Sequence, residues 1–222
     1  MKRPRICAVI TENDYKLAAG IERFVDFYEV RLDLIGDGWQ SWVKKLPRPW
    51  IATNRLQDEG GRWSGSEIER ISRLFEAVKL GARIVDVELR TEGITDIIKQ
   101  LKRKKVRSLV SVHNLTETPN LEEIKEVVRQ EIAAGADICK VATTAQRFED
   151  NMTVLRLLSQ FPRVKIVALA MGQVGISSRV LSPILGGYFT YAAITEGKES
   201  APGQLTAAYL RSFYEAKNRG KN

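Results

Sequence analysis

Apolar stretches of strand length alternate with amphipathic stretches of helical length along the whole chain. The strand candidates are ICAVIT (6–11), FYEVRLDLI (27–35), WIATNRL (50–56), RIVDVELR (83–90), RSLVSVHN (107–114), DICKVATT (137–144), VKIVALAM (164–171) and YFTYAAI (188–194). They are rich in β-branched and aromatic residues and bounded by turn formers. Between them, SEIERISRLFEAVKLG (66–81) places Ile68, Ile71, Leu74, Phe75 and Val78 on one helical face, with Gly81 as its end cap. LEEIKEVVRQEIAAG (121–135) does the same with Leu121, Ile124, Val127, Val128 and Ile132. A last helix, from about Gln204 to Lys217, uses Leu205, Ala208 and Phe213.

About eight strand–helix units in one chain predict a (β/α)8 barrel, the TIM barrel, as a single domain over residues 1–222. An open doubly wound sheet is the alternative. The strand faces separate the two. Glu29, Arg31 and Asp33 share one face of their stretch, Asp86, Glu88 and Arg90 another, and Leu109, Ser111 and His113 a third. The opposite faces are apolar. A barrel buries the apolar faces under its helices and turns the polar rows inward, where opposite charges can pair. A sheet covered by helices on both sides has no home for such rows. The barrel is therefore the reading. It sends Arg31, Arg55, Glu88, His113, Lys140 and Met171, all late in their strands, towards the mouth where barrel enzymes do chemistry.

Composition changes this picture little. Of 222 residues, 44% are hydrophobic and 28% charged, as in an ordinary globular domain. The basic start MKRPRICAVIT is broken by Glu12, Asn13 and Asp14 before it could act as a signal or a membrane span, and no other run is long enough. The expectation is a cytoplasmic protein with no membrane partner. Cys7 and Cys139 match no metal spacing and no disulfide framework, and a single histidine excludes a His-rich metal site. The net charge of +8 invites a nucleic-acid reading. The basic residues, however, are spread among 27 acids, and the dense run LKRKKVR (101–107) sits where a helix ends, which suits the helix dipole. An anionic small substrate fits the charge equally, and no nucleic-acid partner is assigned.

The stretch GADICKVATTA (135–145) carries the candidate chemistry. Lys140 interrupts a buried strand, where an unpaired ammonium is costly. It could snorkel, with its stem on apolar surface and its head in water. It could instead be a desolvated amine, with its pKa lowered by burial and neighbouring cations, able to form an imine with a ketone. The protonated imine acidifies the adjacent C–H, and a base is then needed. His113, one strand away, is the one histidine available.

With these residues in place the chain resembles the type I 3-dehydroquinate dehydratases, the Schiff-base enzymes of the shikimate pathway. The resemblance runs in order over nearly the whole length. YEVRLDL carries Glu29 and Arg31, TNRLQDEGG carries Arg55 and Glu59, DVEL matches the fourth strand, and SVHN carries His113. GADICKVAT carries Lys140, MGQVGISSR carries Met171 and Arg179, and SAPGQ carries Ser200 and Gln204. Two features depart from the family pattern. Val112 stands where a polar residue is common, and the chain begins almost directly on its first strand, where many bacterial members have a longer segment closing the barrel's base.

The resemblance implies that Lys140 forms the imine with 3-dehydroquinate, that His113 moves protons, and that Glu59 orients His113 and raises its basicity. It implies that Arg179 pairs with the substrate carboxylate. Glu29, Arg31, Arg55, Ser200 and Gln204 would hold hydroxyls and order the site, and Met171 would wall the pocket. It implies no cofactor and a homodimer. Arg31 with Glu29 could instead be a structural ion pair. SAPGQ could be a helix start with Pro202 in the first turn. The segments 172–179 and 195–203 could form a lid. Two other readings stand beside it: a class I aldolase, which would act on a sugar phosphate, and a basic nucleic-acid module, which would survive loss of Lys140.

Overall fold

The computed structural model describes residues 3–219. Strands and helices alternate as β1 (Ile6–Ile10), α1 (Tyr15–Gly20), β2 (Phe27–Arg31), α2 (Leu32–Ile35), β3 (Trp50–Thr53), α3 (Glu67–Lys79), β4 (Ile84–Glu88), α4 (Ile94–Arg103), β5 (Arg107–His113), α5 (Leu121–Ala134), β6 (Ile138–Thr144), α6 (Glu149–Gln160), β7 (Ile166–Met171), α7 (Ile176–Leu181), β8 (Thr190–Ala193) and α8 (Ala207–Arg219). Every ladder is parallel, in the order β7-β6-β5-β4-β3-β2-β1-β8. The two ends of the sheet meet where Tyr188 N–H donates to the Ile166 carbonyl at 2.7 Å, just before β8. The sheet is thus a nearly closed (β/α)8 barrel. Among the described residues no helix is long and apolar enough to cross a membrane.

The period-two pattern sorts as the barrel reading requires. Ile6, Ala8, Tyr28, Val30, Ala52, Val85 and Val87 face outward and pack with Leu74 and Ala77 of α3, Ile97 and Leu101 of α4, and Leu210 and Tyr214 of α8. Cys139, Val141, Ala168 and Ala170 pack outward with α5 and α6. Cys7, Phe27, Ile51, Ile84, Leu109, Ile138, Val167 and Phe189 fill the interior. At the base, where the strands begin, the rings of Phe27, Tyr188 and Phe189 cluster with centroids 5.6–6.4 Å apart.

Three expectations are corrected. The stretch 27–35 is not one strand. β2 ends at Arg31, and Leu32–Ile35 form a helical turn, because the Asp33 carboxylate folds back to accept from Arg31 Nε (2.9 Å) and Nη2 (2.7 Å) and from the Arg62 N–H (3.1 Å). In α3 and α5 the predicted faces lose one member each: Ile68 and Ile132 are exposed, while Arg70 and Glu131 are buried. The last helix begins at Ala207, and its inward face is Ala207, Leu210 and Tyr214 rather than Leu205, Ala208 and Phe213. The segment before it is held extended where the Leu205 carbonyl accepts from Ala193 N–H of β8, so Pro202 lies outside the helix.

Candidate active site

The ends of the strands open into a cavity of about 140 Å³. All ten residues singled out from the sequence line it: Lys140, His113, Glu59, Glu29, Arg31, Arg55, Arg179, Ser200, Gln204 and Met171. Lys140 and His113 come from the neighbouring strands β6 and β5. The register sets Ser111 beside Lys140 and His113 beside Ala142, so the histidine stands one step nearer the mouth.

Lys140 does not snorkel. It is buried, with Nζ 3.0 Å from Asp86 Oδ2, 3.9 Å from Glu29 Oε1 and 4.5 Å from the centre of the Tyr191 ring. Its nearest charges are therefore carboxylates. Asp86 is shared, since Arg55 Nη2 also lies 2.6 Å from its Oδ2. Burial alone would raise the Asp86 carboxyl, but Arg55 and then Lys140 overcome that and hold it well below the usual carboxylate range. Arg55 Nη1 continues the network to Glu88 Oε1 at 2.9 Å and donates to Ser111 Oγ at 2.7 Å, and Ser111 donates to Asp86 at 2.7 Å. Glu88 is held from behind by the fully buried Arg70 of α3, which also pairs with Glu67. Buried charges placed so that each meets its opposite avoid most of the cost of isolation.

His113 Nδ1 lies 2.8 Å from Glu59 Oε2, and the His113 backbone N–H donates to the same oxygen at 3.1 Å. A Glu59 carboxylate accepts a hydrogen bond from Nδ1–H and leaves Nε2 with a free lone pair. Burial, then the cations Arg55 and Lys140, depress His113 well below its ordinary value, so the ring is neutral at pH 7. Burial pushes the Glu59 carboxyl itself up to about 7, against the pull of Arg55 and Arg90. Arg90 Nε stands 3.3 Å from Glu59 Oε1. The turn carrying Glu59 closes on Gly60, at φ +79°, and Gly61, where a Cβ would lie 2.0 Å from the Arg55 carbonyl oxygen. Glycine is required there for Arg55 and Glu59 to share one short loop.

Arg31 pairs with Asp33 rather than with Glu29, and Glu29 instead accepts from Thr53 Oγ1 at 2.8 Å. On the opposite wall Arg179 is buried, its Nε has no partner, and Nη2 donates to the Pro202 carbonyl at 3.1 Å. Burial lowers its guanidinium to about 10. Pro202 also accepts nothing less than a backbone bond from the next loop, through Gly172 N–H at 3.1 Å, and Gln204 Oε1 accepts from Ser200 N–H at 2.9 Å. Segments 172–179 and 200–204 are thus joined over the cavity.

A family model described as type I 3-dehydroquinase matches residues 6–221. The chain belongs to the type I 3-dehydroquinase family. It is 40% identical over 218 residues to a 3-dehydroquinate dehydratase of Dehalococcoides mccartyi, covering 98% of each chain. The 3-dehydroquinate dehydratase structure from Geobacillus kaustophilus superposes with a TM-score of 0.86 at 26% identity, over 99% of this chain and 93% of the other. A type I 3-dehydroquinate dehydratase structure from Clostridium difficile gives the same TM-score over 100% and 95%; at 24% identity it speaks for the fold.

Sequence reasoning missed Asp86, Arg70, Tyr191 and Arg90 as parts of the site and its support. Asp86 was legible as an inward acid, but its choice between Lys140 and Arg55 depends on the stagger between strands. Arg90 lies just past β4, half exposed, and reaches Glu59 through a turn that no periodicity describes.

Proposed function

We propose that this chain is a cytoplasmic enzyme, one barrel domain over residues 1–222, that dehydrates 3-dehydroquinate to 3-dehydroshikimate through a Schiff base on Lys140, the third step of the shikimate pathway. The observation that carries the reading is the pairing of a buried lysine with the chain's one histidine in a single cavity lined by unpartnered arginine nitrogen.

Lys140 Nζ loses a proton and attacks the substrate ketone; water leaves and the imine forms. The neutral His113 accepts the C–H proton next to the imine carbon, and the electron pair moves into an enamine. The enamine expels the neighbouring hydroxyl, which leaves as water with the proton from His113. Hydrolysis then returns Lys140 and releases the product. The iminium is the electron sink, so the step needs no cofactor. Asp86 and Glu29 face the nitrogen that carries the positive charge of the iminium. Arg179, with an unmatched buried N–H and a planar fork, receives the substrate carboxylate. Glu29, Arg31, Arg55, Ser200 and Gln204 hold hydroxyls and order the site, and Met171 forms a wall.

Borohydride trapping tests this. With 3-dehydroquinate present, the reduced adduct is expected on the peptide carrying Lys140. Absence of adduct together with absence of enone absorbance would remove the dehydratase reading. Two buried free thiols, Cys7 and Cys139, suit a reducing compartment. A homodimer is the expected assembly, supported by exposed Phe148, just before α6, and Met152 on α6; light scattering at the monomer mass of 25.0 kDa would remove it.

A further inference from the structure

The base of the barrel carries a second concentration of charge that the chemistry at the mouth does not use. Arg5 immediately precedes β1, Arg107 opens β5, and Lys165 immediately precedes β7. All three converge on Tyr188, next to β8. Arg107 Nη1 donates to the Tyr188 hydroxyl at 2.7 Å. The Arg5 guanidinium carbon lies 4.8 Å from the centre of the ring, and Lys165 Nζ 5.7 Å from it. Arg5, Lys165 and Tyr188 line a surface recess that Arg163 also borders.

Among the described residues none of these four cations has a carboxylate within salt-bridge distance. The acids near this end are engaged elsewhere: Asp26 by Arg3, Arg211 and the Ile6 N–H, and Asp137 by Ser108. Cations held this close without counter-charge repel one another, and a ring face offsets only part of that. The pattern differs from a scattered basic surface, because one ring fixes three of the groups on different strands. A planar guanidinium fork on one side and an ammonium on the other suit a polyvalent oxyanion.

We propose that the barrel base is an anion site that takes a diphosphate group, held by Arg5, Lys165 and Arg163 with Arg107 and Tyr188 behind them. It lies at the opposite end of the strands from Lys140, so occupancy stabilises the barrel without entering the reaction.

Isothermal titration with pyrophosphate, and in parallel with ADP, at constant ionic strength tests this on the full chain. Saturable binding is expected. Lys165→Gln and Arg5→Gln should each weaken it about tenfold, the loss expected for one charge-assisted contact, with dehydratase turnover unchanged. An Arg179→Ala variant should bind as the wild type does, which separates this site from the mouth. Equal affinity for both probes means that the phosphates alone are read, and tighter ADP means that the nucleoside adds contacts; either supports the site. Thermal unfolding gives an independent readout should one variant fold poorly: pyrophosphate should raise the wild-type midpoint beyond chloride of the same ionic strength, and the Arg5→Gln/Lys165→Gln double variant should lose that rise. Absence of saturable binding to both probes, or binding lost in Arg179→Ala and kept in the base variants, overturns the proposal.

Discussion

The two ends of the barrel handle charge in opposite ways. At the mouth, Lys140, Arg55, Arg70 and Arg31 are buried, and each stands against Asp86, Glu88, Glu67 or Asp33. At the base, Arg5, Arg107 and Lys165 are only partly covered and share a tyrosine instead of an acid. Buried cations need partners because desolvation would otherwise exceed any gain, whereas half-exposed cations are tolerated through water and salt. A barrel can therefore hold a dense charge network where acids alternate with bases along its inner strands. Apart from Arg179, which is buried with no carboxylate against it among the described residues, it leaves charge unbalanced only where solvent reaches.

The sharpest break in this comparison is at Lys140. Lys140→Ala should lower turnover by roughly 10⁴-fold or more and abolish the borohydride adduct, while Asp86 keeps Arg55 as partner and the fold survives; near-normal turnover would refute the mechanism. Next comes Arg70, the buried prop of Glu88. Arg70→Met leaves a buried carboxylate with one partner fewer and should cost about 3 kcal/mol in chemical denaturation; a change near zero would mean that the network is not what holds this end together. Glu59 gives a smaller and pH-dependent effect. With its carboxyl raised to about 7, kcat/KM should fall about tenfold per pH unit below that value as Glu59 gains a proton and releases His113 Nδ1. Glu59→Gln should remove this limb. The sign for stability is the reverse: the folded state holds the Glu59 proton more tightly than the unfolded chain, so this group's contribution declines as pH rises from about 4.5 to about 7. The smallest effect is at the base. Arg5→Gln should stabilise the ligand-free protein by about 0.5 kcal/mol at low salt, and less at high salt; destabilisation would show that Arg5 is valued for its packing on Tyr188 instead.

Much of this was legible in the sequence because barrel strands obey a strict period of two. The alternation in YEVR, IVDVE and SLVSVH separates inner from outer positions without any knowledge of neighbours. The ten cavity residues followed from the resemblance, carried by motifs on strand ends and on the loops after them. What the chain did not disclose depends on three-dimensional stagger. LKRKKVR read as cations at a helix end, which describes Lys102 and Arg103 of α4, but Arg107 begins the next strand and points to the base. Arg70 was not singled out in the sequence, and only the approach of Glu88 from β4 makes its burial favourable. The face of α8 came out as Ala207, Leu210 and Tyr214 because the strand-like bond from the Ala193 N–H to the Leu205 carbonyl delays the helix start.

The seam between β1 and β8 has a kinetic consequence. β1 bonds to β2 on one side and to β8, almost the whole chain away, on the other, and Arg211 of α8 donates to the carbonyls of Pro4 and Phe24. During synthesis the first strand therefore waits, half-paired, until nearly everything else has been made. The edge left open in the meantime is ICAVI, an apolar strand with no charge to deter a wrong partner. Pulse-labelled hydrogen exchange during refolding should find the β8 amide of Thr190, which donates to the Arg5 carbonyl, protected late; early protection there would mean that the barrel closes before it is filled.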